Sequence, residues 1–175
     1  TSFVNRGWQV IPAIMQAVPV TLSLVFGSAL LWVAMSIGSA VLAVAYRNTA
    51  IDRILMAIGL IGLSMPVFWL GSVMNLLSQS RFHDTFLFSW VPPLGYTPLS
   101  ESVTGWFKGL LIPWFTLAFV YFGFYARVLR ADIIMALQQD FVRTARAKGL
   151  SERRILVRHA LRTSLTNFVT IFGLD

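Results

Sequence analysis

Most of the charge in this sequence lies in one stretch, residues 127–162, which we call the basic loop. It holds nine basic and three acidic residues, a net charge of +6, while the whole chain carries +7. A dense basic surface can bind nucleic acid, anionic lipid or an acidic protein. Long apolar runs flank the loop, so the positive-inside rule explains its charge, and no nucleic acid partner is expected.

Residue types for catalysis or metal binding are sparse. The chain has no cysteine, and its two histidines, His83 and His159, have no second ligand at metal-site spacing. It also lacks a Gly-x-x-x-x-Gly-Lys-Ser/Thr loop for phosphate binding. We therefore expect no catalytic residue, no metal and no cofactor in this chain.

Composition indicates a membrane protein. Hydrophobic residues make up 57% of the chain and charged residues 12%, with a mean hydropathy of +0.72, whereas soluble domains have about 25% charged residues. Apolar runs of bilayer length occur at 19–45, 54–80 and from 109 onward, and a shorter run begins near Leu165. The sequence predicts an all-α membrane protein, a polytopic helical bundle with about three full spans and the start of a fourth.

Prolines and charges predict how these spans are arranged. Residues 1–18 are predicted to form an interfacial lead-in helix, and Pro19 to lie in the first turn of the first span. Pro66 is expected to kink the second span. The basic loop is predicted to be cytoplasmic and the neutral, aromatic segment 81–108 to lie outside. We expect further spans before and after this sequence.

The basic loop also has an ordered pattern. Asp140 is a candidate N-cap for a helix from Phe141 to about Lys148. Gly149 suits the left-handed position that ends such a helix, and Ser151 is a candidate cap for the next one. If the loop were only a solvated face that sets membrane topology, the order of its basic residues would not matter. The pattern favours a helix, a sharp turn and a second helix that pack in a groove of a partner.

Three motifs in and before this loop carry a resemblance to a known family. They are YAR from Tyr125, DFVRTARAKGLS from Asp140 and HALR from His159. They resemble the cytoplasmic "EAA" loop of the permease subunits of ATP-binding-cassette importers of the dipeptide, oligopeptide and nickel type, whose signature glycine falls on Gly149. Weaker similarities begin at Ser64 (SMPVFWLG) and at the segment VPPLGY. Thr163 and Asn167 depart from the family's usual Asn and Pro, which leaves the kink of the fourth span open.

The resemblance implies a type I importer permease, with residues 19–175 as part of its transmembrane domain and the basic loop as its coupling loop. It implies a path for peptides or similar small solutes, in a bacterial or archaeal inner membrane. The implied partners are a second permease subunit, two ATP-binding subunits that hold ATP and Mg, an extracytoplasmic substrate-binding protein and the lipid bilayer.

The resemblance also implies site residues. The residues expected to dock on the ATPase are Asp140, Phe141, Ala145, Ala147, Lys148, Gly149, Leu150, Ser151, Arg153, Ile155 and His159. The candidate residues of the translocation path are Ser64 and Pro66, which belong to the similar motif SMPVFWLG, and Asn75. Asn75 is chosen as a polar residue within a span, which either lines the path or hydrogen-bonds between helices.

Two other function classes make different predictions. An ATP-independent secondary carrier or channel should have ionisable residues inside its spans, but the charged residues here lie in loops, near span ends or at the terminus. A membrane-embedded enzyme should have a group of His, Asp, Glu or Ser residues at the membrane border, and none is evident. The sequence therefore favours the importer permease.

Overall fold

The computed structural model describes residues 10–79, 83, 85, 86, 88–92 and 95–174. A π-helical segment (Ile155–Ala160) connects the last two helices. The helices are α1 (Val10–Ala45), α2 (Ala50–Ser64), α3 (Val67–Gln79), α4 (Val103–Ala136), α5 (Asp140–Ala147), α6 (Glu152–Arg154) and α7 (Leu161–Phe172). These described ranges contain no strand, and the all-α prediction is confirmed.

Two helices of the described residues, α1 and α4, are long and apolar enough to cross a membrane. The pair α2 and α3 makes a third candidate span if its two helices are counted as one. α4 begins six residues before the predicted Gly109 and holds Pro113 inside it. It continues past Arg127 and Arg130 to Ala136, as predicted. The helix starts ahead of the apolar run because Ser102 accepts the Gly105 N–H at 3.1 Å.

α1 is continuous through Pro19, so the predicted position of this proline in the first turn of a helix is wrong. Pro19 is the tenth residue of α1 and cannot donate to the carbonyl four residues earlier. The sequence on both sides of Pro19 is uncharged, which favours one long helix. A break inside a membrane would expose backbone N–H and C=O groups that no water can hydrogen-bond. The first nine residues of the predicted lead-in helix lie outside the described residues.

The break between α2 and α3 lies where the sequence predicted a kink. Met65 has an extended backbone, with φ −92° and ψ 128°. The residue before a proline avoids the helical region because the proline ring clashes with it. Pro66 therefore ends α2 at Ser64, and α3 begins directly after it at Val67.

The described residues form two compact units, one within 1–31 and 67–117 and the other within 32–66 and 118–175. In the first unit, Ser23 on α1 joins several elements. Its hydroxyl donates to the Pro19 carbonyl at 2.7 Å and accepts from Trp106 Nε1 at 3.1 Å. Trp114 Nε1 donates to the Ser23 carbonyl at 2.9 Å. Both indole N–H groups of α4 are thereby satisfied.

The second unit has a core shared by α1, α4, the π-helical segment and α7. Its buried members are Ala40, Val44, Tyr125, Leu129, Ile133, Ala136, Leu156, Ala160 and Phe168. Trp32 stacks on Tyr121 with ring centroids 5.0 Å apart, and Tyr125 meets Phe168 edge to face at 5.3 Å. These ring pairs and small alanines fix how the helices that enter and leave the basic loop are packed.

Candidate functional site

The basic loop folds as a helix, a tight turn and a second helix. α5 ends at Ala147, and Gly149 has φ +78°, in the left-handed region predicted for it. The Gly149 N–H donates to the Arg146 carbonyl at 2.9 Å, and the Leu150 N–H donates to the Ala145 carbonyl at 3.2 Å. This pair of bonds is the Schellman arrangement, which satisfies carbonyls at the end of a helix. The predicted stop at Gly149 is confirmed.

A small apolar core holds the two sides of this turn together. Val142, Ala145 and Ile155 are buried against one another, with Leu137 and Leu150 packed on them. The sequence predicted that Ala145 and Ile155 contact a partner. In the structure both side chains are buried within the loop, and their contact with a partner stays a prediction. They keep α5 and the following helix in one fixed arrangement.

The predicted cap position is correct for α6 and wrong for α5. α5 begins at Asp140 itself, and Gln139 occupies the cap position. The Asp140 carboxylate accepts from Arg143 Nη1 at 3.4 Å, so it pairs with a side chain instead of capping the backbone. Ser151 occupies the cap position of α6 as predicted, although its hydroxyl makes no capping bond. Asp140 and Glu152 still place negative charge in the first turn of each helix.

The outer surface of the loop is basic and exposed. Leu150 and His159 are half-buried, and the other predicted docking residues outside the small core are exposed. A shallow pocket of about 340 Å³ lies beside the turn, lined by Ser151, Arg153, Arg154, Val157 and Arg158. The exposed members of the predicted docking set are Asp140, Phe141, Ala147, Lys148, Gly149, Ser151 and Arg153. Three guanidinium groups at one pocket suit an acidic partner surface.

An ion pair bridges the turn. Arg146 Nε donates to Glu152 Oε1 at 2.7 Å, and Arg146 Nη2 donates to Oε2 at 3.0 Å. The hydrogen bonds from the guanidinium hold the pKa of the Glu152 carboxyl below its usual 4.5. The same bonds raise the pKa of Arg146, so both groups are charged at neutral pH. This contact crosses from α5 to α6 and reinforces the turn at Gly149.

The loop is also joined to the helices that flank it. Asn167 Nδ2 on α7 donates to Asp132 Oδ2 on α4 at 2.8 Å. A shallow pocket of about 310 Å³ lies beside this bond, between the end of α4, the start of α5 and α7. Its lining residues are Asp132, Met135, Ala136, Gln139, Phe141, Thr163, Ser164 and Asn167. Asn167, one of the two departures from the family pattern, therefore fixes α7 to α4.

No proline interrupts the start of the fourth span. The chain is helical from Glu152 to Phe172, with the π-helical segment Ile155–Ala160 in the middle. The Thr163 hydroxyl donates to the His159 carbonyl at 3.1 Å, which is a bond within the helix. Wide π-helical turns leave one residue unmatched in the ladder and often mark functional positions. This segment could not be predicted because its residues have ordinary helical preferences.

The candidate path residues lie at and after the break between α2 and α3. Ser64 is the last residue of α2 and its hydroxyl donates to the Leu60 carbonyl at 2.9 Å. Asn75 lies on α3 and lines a cavity of about 180 Å³ with Gly71, Ser78 and Gln79. Whether Ser64, Pro66 and Asn75 contact a solute stays a prediction.

Sequence reasoning missed a buried ion pair. Asp52 on α2 is buried, and Arg130 Nε and Nη2 on α4 donate to its two carboxylate oxygens at 2.8 Å and 2.7 Å. The backbone N–H of Asn48 donates to Asp52 Oδ2 at 3.2 Å. The only sign of this ion pair in the sequence was that Asp52 is a lone acidic residue near the basic turn after α1. Its partner Arg130 is 78 positions away.

Comparison with known proteins agrees with this architecture. The sequence pattern of the binding-protein-dependent transport system inner membrane component matches residues 33–175. A protein of Brucella abortus (strain 2308) that carries the name of a peptide transport system permease is 35% identical over 161 residues, 92% of this chain and 49% of that protein. The oligopeptide transport system permease protein AppB of Bacillus subtilis (strain 168) is 34% identical over 176 residues, 99% of this chain and 54% of AppB.

A third relative is the di/tripeptide transport system permease protein DppB of Pseudomonas aeruginosa (strain UCBPP-PA14). It is 32% identical over 171 residues, which cover 90% of this chain and 51% of DppB. The chain thus spans about half the length of the curated relatives it matches. Because the family pattern matches well over half of its residues, the chain belongs to the binding-protein-dependent transport system inner membrane components.

Proposed function

We propose that this chain is part of the permease subunit of an ATP-driven importer for peptides or similar small solutes, which couples to a cytoplasmic ATPase through the basic loop. Family membership supports a membrane-embedded permease. The names of the relatives, which are peptide, oligopeptide and di/tripeptide permeases, support peptides as the solute class.

The observation that carries this proposal is the folded state of the basic loop. A segment that only set membrane topology could be extended and mobile. Here the turn at Gly149 is fixed by two backbone bonds, an ion pair and an apolar core. A partner that moves such a unit also moves the helices attached to it, as energy coupling between sites requires.

The partners follow from the same proposal. Two ATP-binding subunits hold ATP and Mg and meet the exposed basic surface of the loop. A second permease subunit completes the path, and an extracytoplasmic binding protein delivers the solute. The positive loop faces the cytoplasm of a bacterial or archaeal cell. The family description, which names an inner membrane component and dependence on a binding protein, supports this arrangement.

Site-specific cross-linking in the complete transporter tests the docking step. This stretch of the permease has no cysteine, so Lys148→Cys gives one reactive site on the exposed face of the turn in a permease kept free of other cysteines. We expect Lys148→Cys to cross-link to an ATPase subunit. Glu101→Cys, which is exposed in the segment predicted to lie outside, is the matched control. Equal cross-linking of the two variants, or none at Lys148→Cys, would contradict the proposal.

The alternative of an ATP-independent carrier or channel has less support. Among the described residues, Asp52 is the one charged side chain that is buried, and Arg130 compensates its charge. An ion-coupled carrier needs an ionisable group that can bind and release its ion inside the membrane. Uptake by proteoliposomes without ATP would favour this alternative, whereas strict dependence on ATP and the ATPase subunits favours the importer.

A further inference from the structure

α2 and α4 approach each other without intervening side chains. A Cβ atom built on Gly59 of α2 would lie 2.8 Å from the Cα atom of Gly123 on α4. Gly62, one turn further along α2, meets the backbone of Phe119 in the same way. Small residues allow this close packing of membrane helices. The two backbones are therefore in direct contact at Gly59 and Gly123.

The buried ion pair lies two turns from this contact along both helices. Asp52 precedes Gly59 by seven residues, and Arg130 follows Gly123 by seven. Seven residues return to the same face of a helix and correspond to about 10 Å along its axis. α2 and α4 are thus antiparallel neighbours with two points of contact on matching faces, one steric and one ionic.

The ion pair also includes the turn between α1 and α2. The Asn48 N–H donates to the same Asp52 oxygen that accepts from Arg130 Nη2. Asn48 has φ +67°, a left-handed conformation that asparagine tolerates. The carboxylate of Asp52 therefore accepts three hydrogen bonds, from α4 and from the turn that precedes its own helix. These bonds compensate the charge in its buried position.

We propose that Asp52 and Arg130 are positioning residues that make α2 and the cytoplasmic end of α4 move together when the basic loop is displaced. This inference rests on the proposed function. The glycine contacts are steric and do not by themselves fix the cytoplasmic end of α4 against α2. The ion pair about 10 Å away adds a directional contact there, so displacement of the basic loop reaches α2 and the break at Pro66.

A purely structural role is the rival explanation, and it makes a different prediction. A buried ion pair can often be replaced by apolar residues of similar volume without loss of stability. An apolar pair at 52 and 130 keeps the packing but loses the fork of hydrogen bonds that fixes the angle of the Arg130 side chain. If the pair only stabilises the fold, the apolar replacement should transport normally.

The experiment uses the complete transporter, purified with its ATPase subunits and reconstituted in proteoliposomes. The variant combines Asp52→Leu with Arg130→Met, and Arg53→Met, at an exposed residue next to Asp52 on α2 and outside the basic loop, is the control. For the double variant we expect ATPase subunits to co-purify and uptake per ATP hydrolysed to fall by between about 5-fold and about 150-fold, the usual range for coupling between sites. Wild-type uptake per ATP in the double variant would overturn the inference.

A conservative variant covers the case in which the double variant fails to assemble. Arg130→Lys keeps the charge but cannot make the two-pronged contact. We expect it to assemble and to lose at least about 5-fold in uptake per ATP, and full retention would overturn the inference. If the wild-type permease brings no ATPase subunit, the proposed function fails instead, so the two failures are distinguishable.

Discussion

Two arginine–carboxylate pairs in this chain have nearly the same geometry and different surroundings. Arg130 binds Asp52 with a shortest distance of 2.7 Å, and Arg146 binds Glu152 with the same shortest distance. In the first pair the side chains are 24% and 6% exposed, and in the second 46% and 68%. The first joins two long helices, and the second joins the two sides of one turn.

The comparison teaches that geometry alone does not set what an ion pair contributes. Water and salt screen the exposed pair at 146 and 152, so its loss leaves two well-solvated side chains. The loss of Arg130 leaves the Asp52 carboxylate, which is 6% exposed, without its partner. Removing one partner of the buried pair should therefore destabilise the fold strongly, whereas the exposed pair adjusts the stability of a turn that other contacts already define.

The largest expected effect is at the buried pair. We expect Arg130→Met to lower the free energy of unfolding by about 3 to 5 kcal/mol, because Asp52 is left buried without its partner. Thermal unfolding of the complete protein in detergent measures this. Arg127→Met removes the same charge from an exposed position of α4 and should change the midpoint little. Equal midpoints for the two variants would remove the contrast between the pairs.

A second effect concerns the helix contact beside that pair. We expect Gly123→Val to destabilise the protein by about 1 to 3 kcal/mol, because any side chain there meets the backbone of Gly59. Gly38→Val on α1 is the matched control, since a Cβ atom there meets nothing within 4 Å. The same unfolding measurement applies. A Gly123→Val protein as stable as Gly38→Val would show that α2 and α4 are not in backbone contact.

An intermediate effect is expected at the turn of the basic loop. Gly149→Val should cost about 1 to 2 kcal/mol, because a β-branched residue is strained at φ +78°. A new side chain there meets open space, so the strain is conformational and not steric. Gly149→Asn, which tolerates the left-handed region, is the control.

In the complete transporter, the strained turn should separate ATP hydrolysis from uptake. We expect Gly149→Val to insert in the membrane and to lose peptide uptake, while Gly149→Asn keeps most of it. Uptake of a labelled peptide by proteoliposomes is the measurement. Wild-type uptake by Gly149→Val would argue that the turn has no part in coupling.

The smallest expected effect is at the exposed pair, and it depends on pH. The folded-state pKa of Glu152 lies below its usual 4.5, so its stabilising contribution is complete above that value. The contribution disappears as the pH falls through the lowered pKa. We expect Glu152→Gln to lower the unfolding midpoint slightly at pH 7 and low salt, and to match the wild type in acid or at high salt. Glu101→Gln controls for net charge, and a salt-independent difference would contradict this account.

Local features of the chain could be predicted from the sequence because their causes are local. Pro66 ends α2 through a clash with the preceding residue, and Gly149 ends α5 because it alone tolerates the left-handed backbone there without cost. Length and hydropathy predicted α4 within six residues of its start. The helical class and the family follow from the same short-range patterns.

Features that depend on distant residues could not be predicted. Asp52 acquires its importance from Arg130, 78 positions away, and a single sequence contains no signal of that contact. The packing of Ala145 and Ile155 on Val142 could not be predicted because the turn at Gly149 brings these residues together only in three dimensions. Pro19 was predicted in the first turn of a helix because proline is common there. α1 begins earlier, at Val10, so Pro19 lies inside the helix.

α4 is longer than the hydrocarbon layer of a membrane is thick. The eighteen uncharged residues 109–126 correspond to about 27 Å of helix, close to the thickness of the hydrocarbon layer. Arg127 to Ala136 then continues the same rod for about another 15 Å. With the apolar run in the hydrocarbon layer, this extension is longer than one headgroup region, so α4 itself would deliver the start of the basic loop to the aqueous phase, as the proposed docking requires.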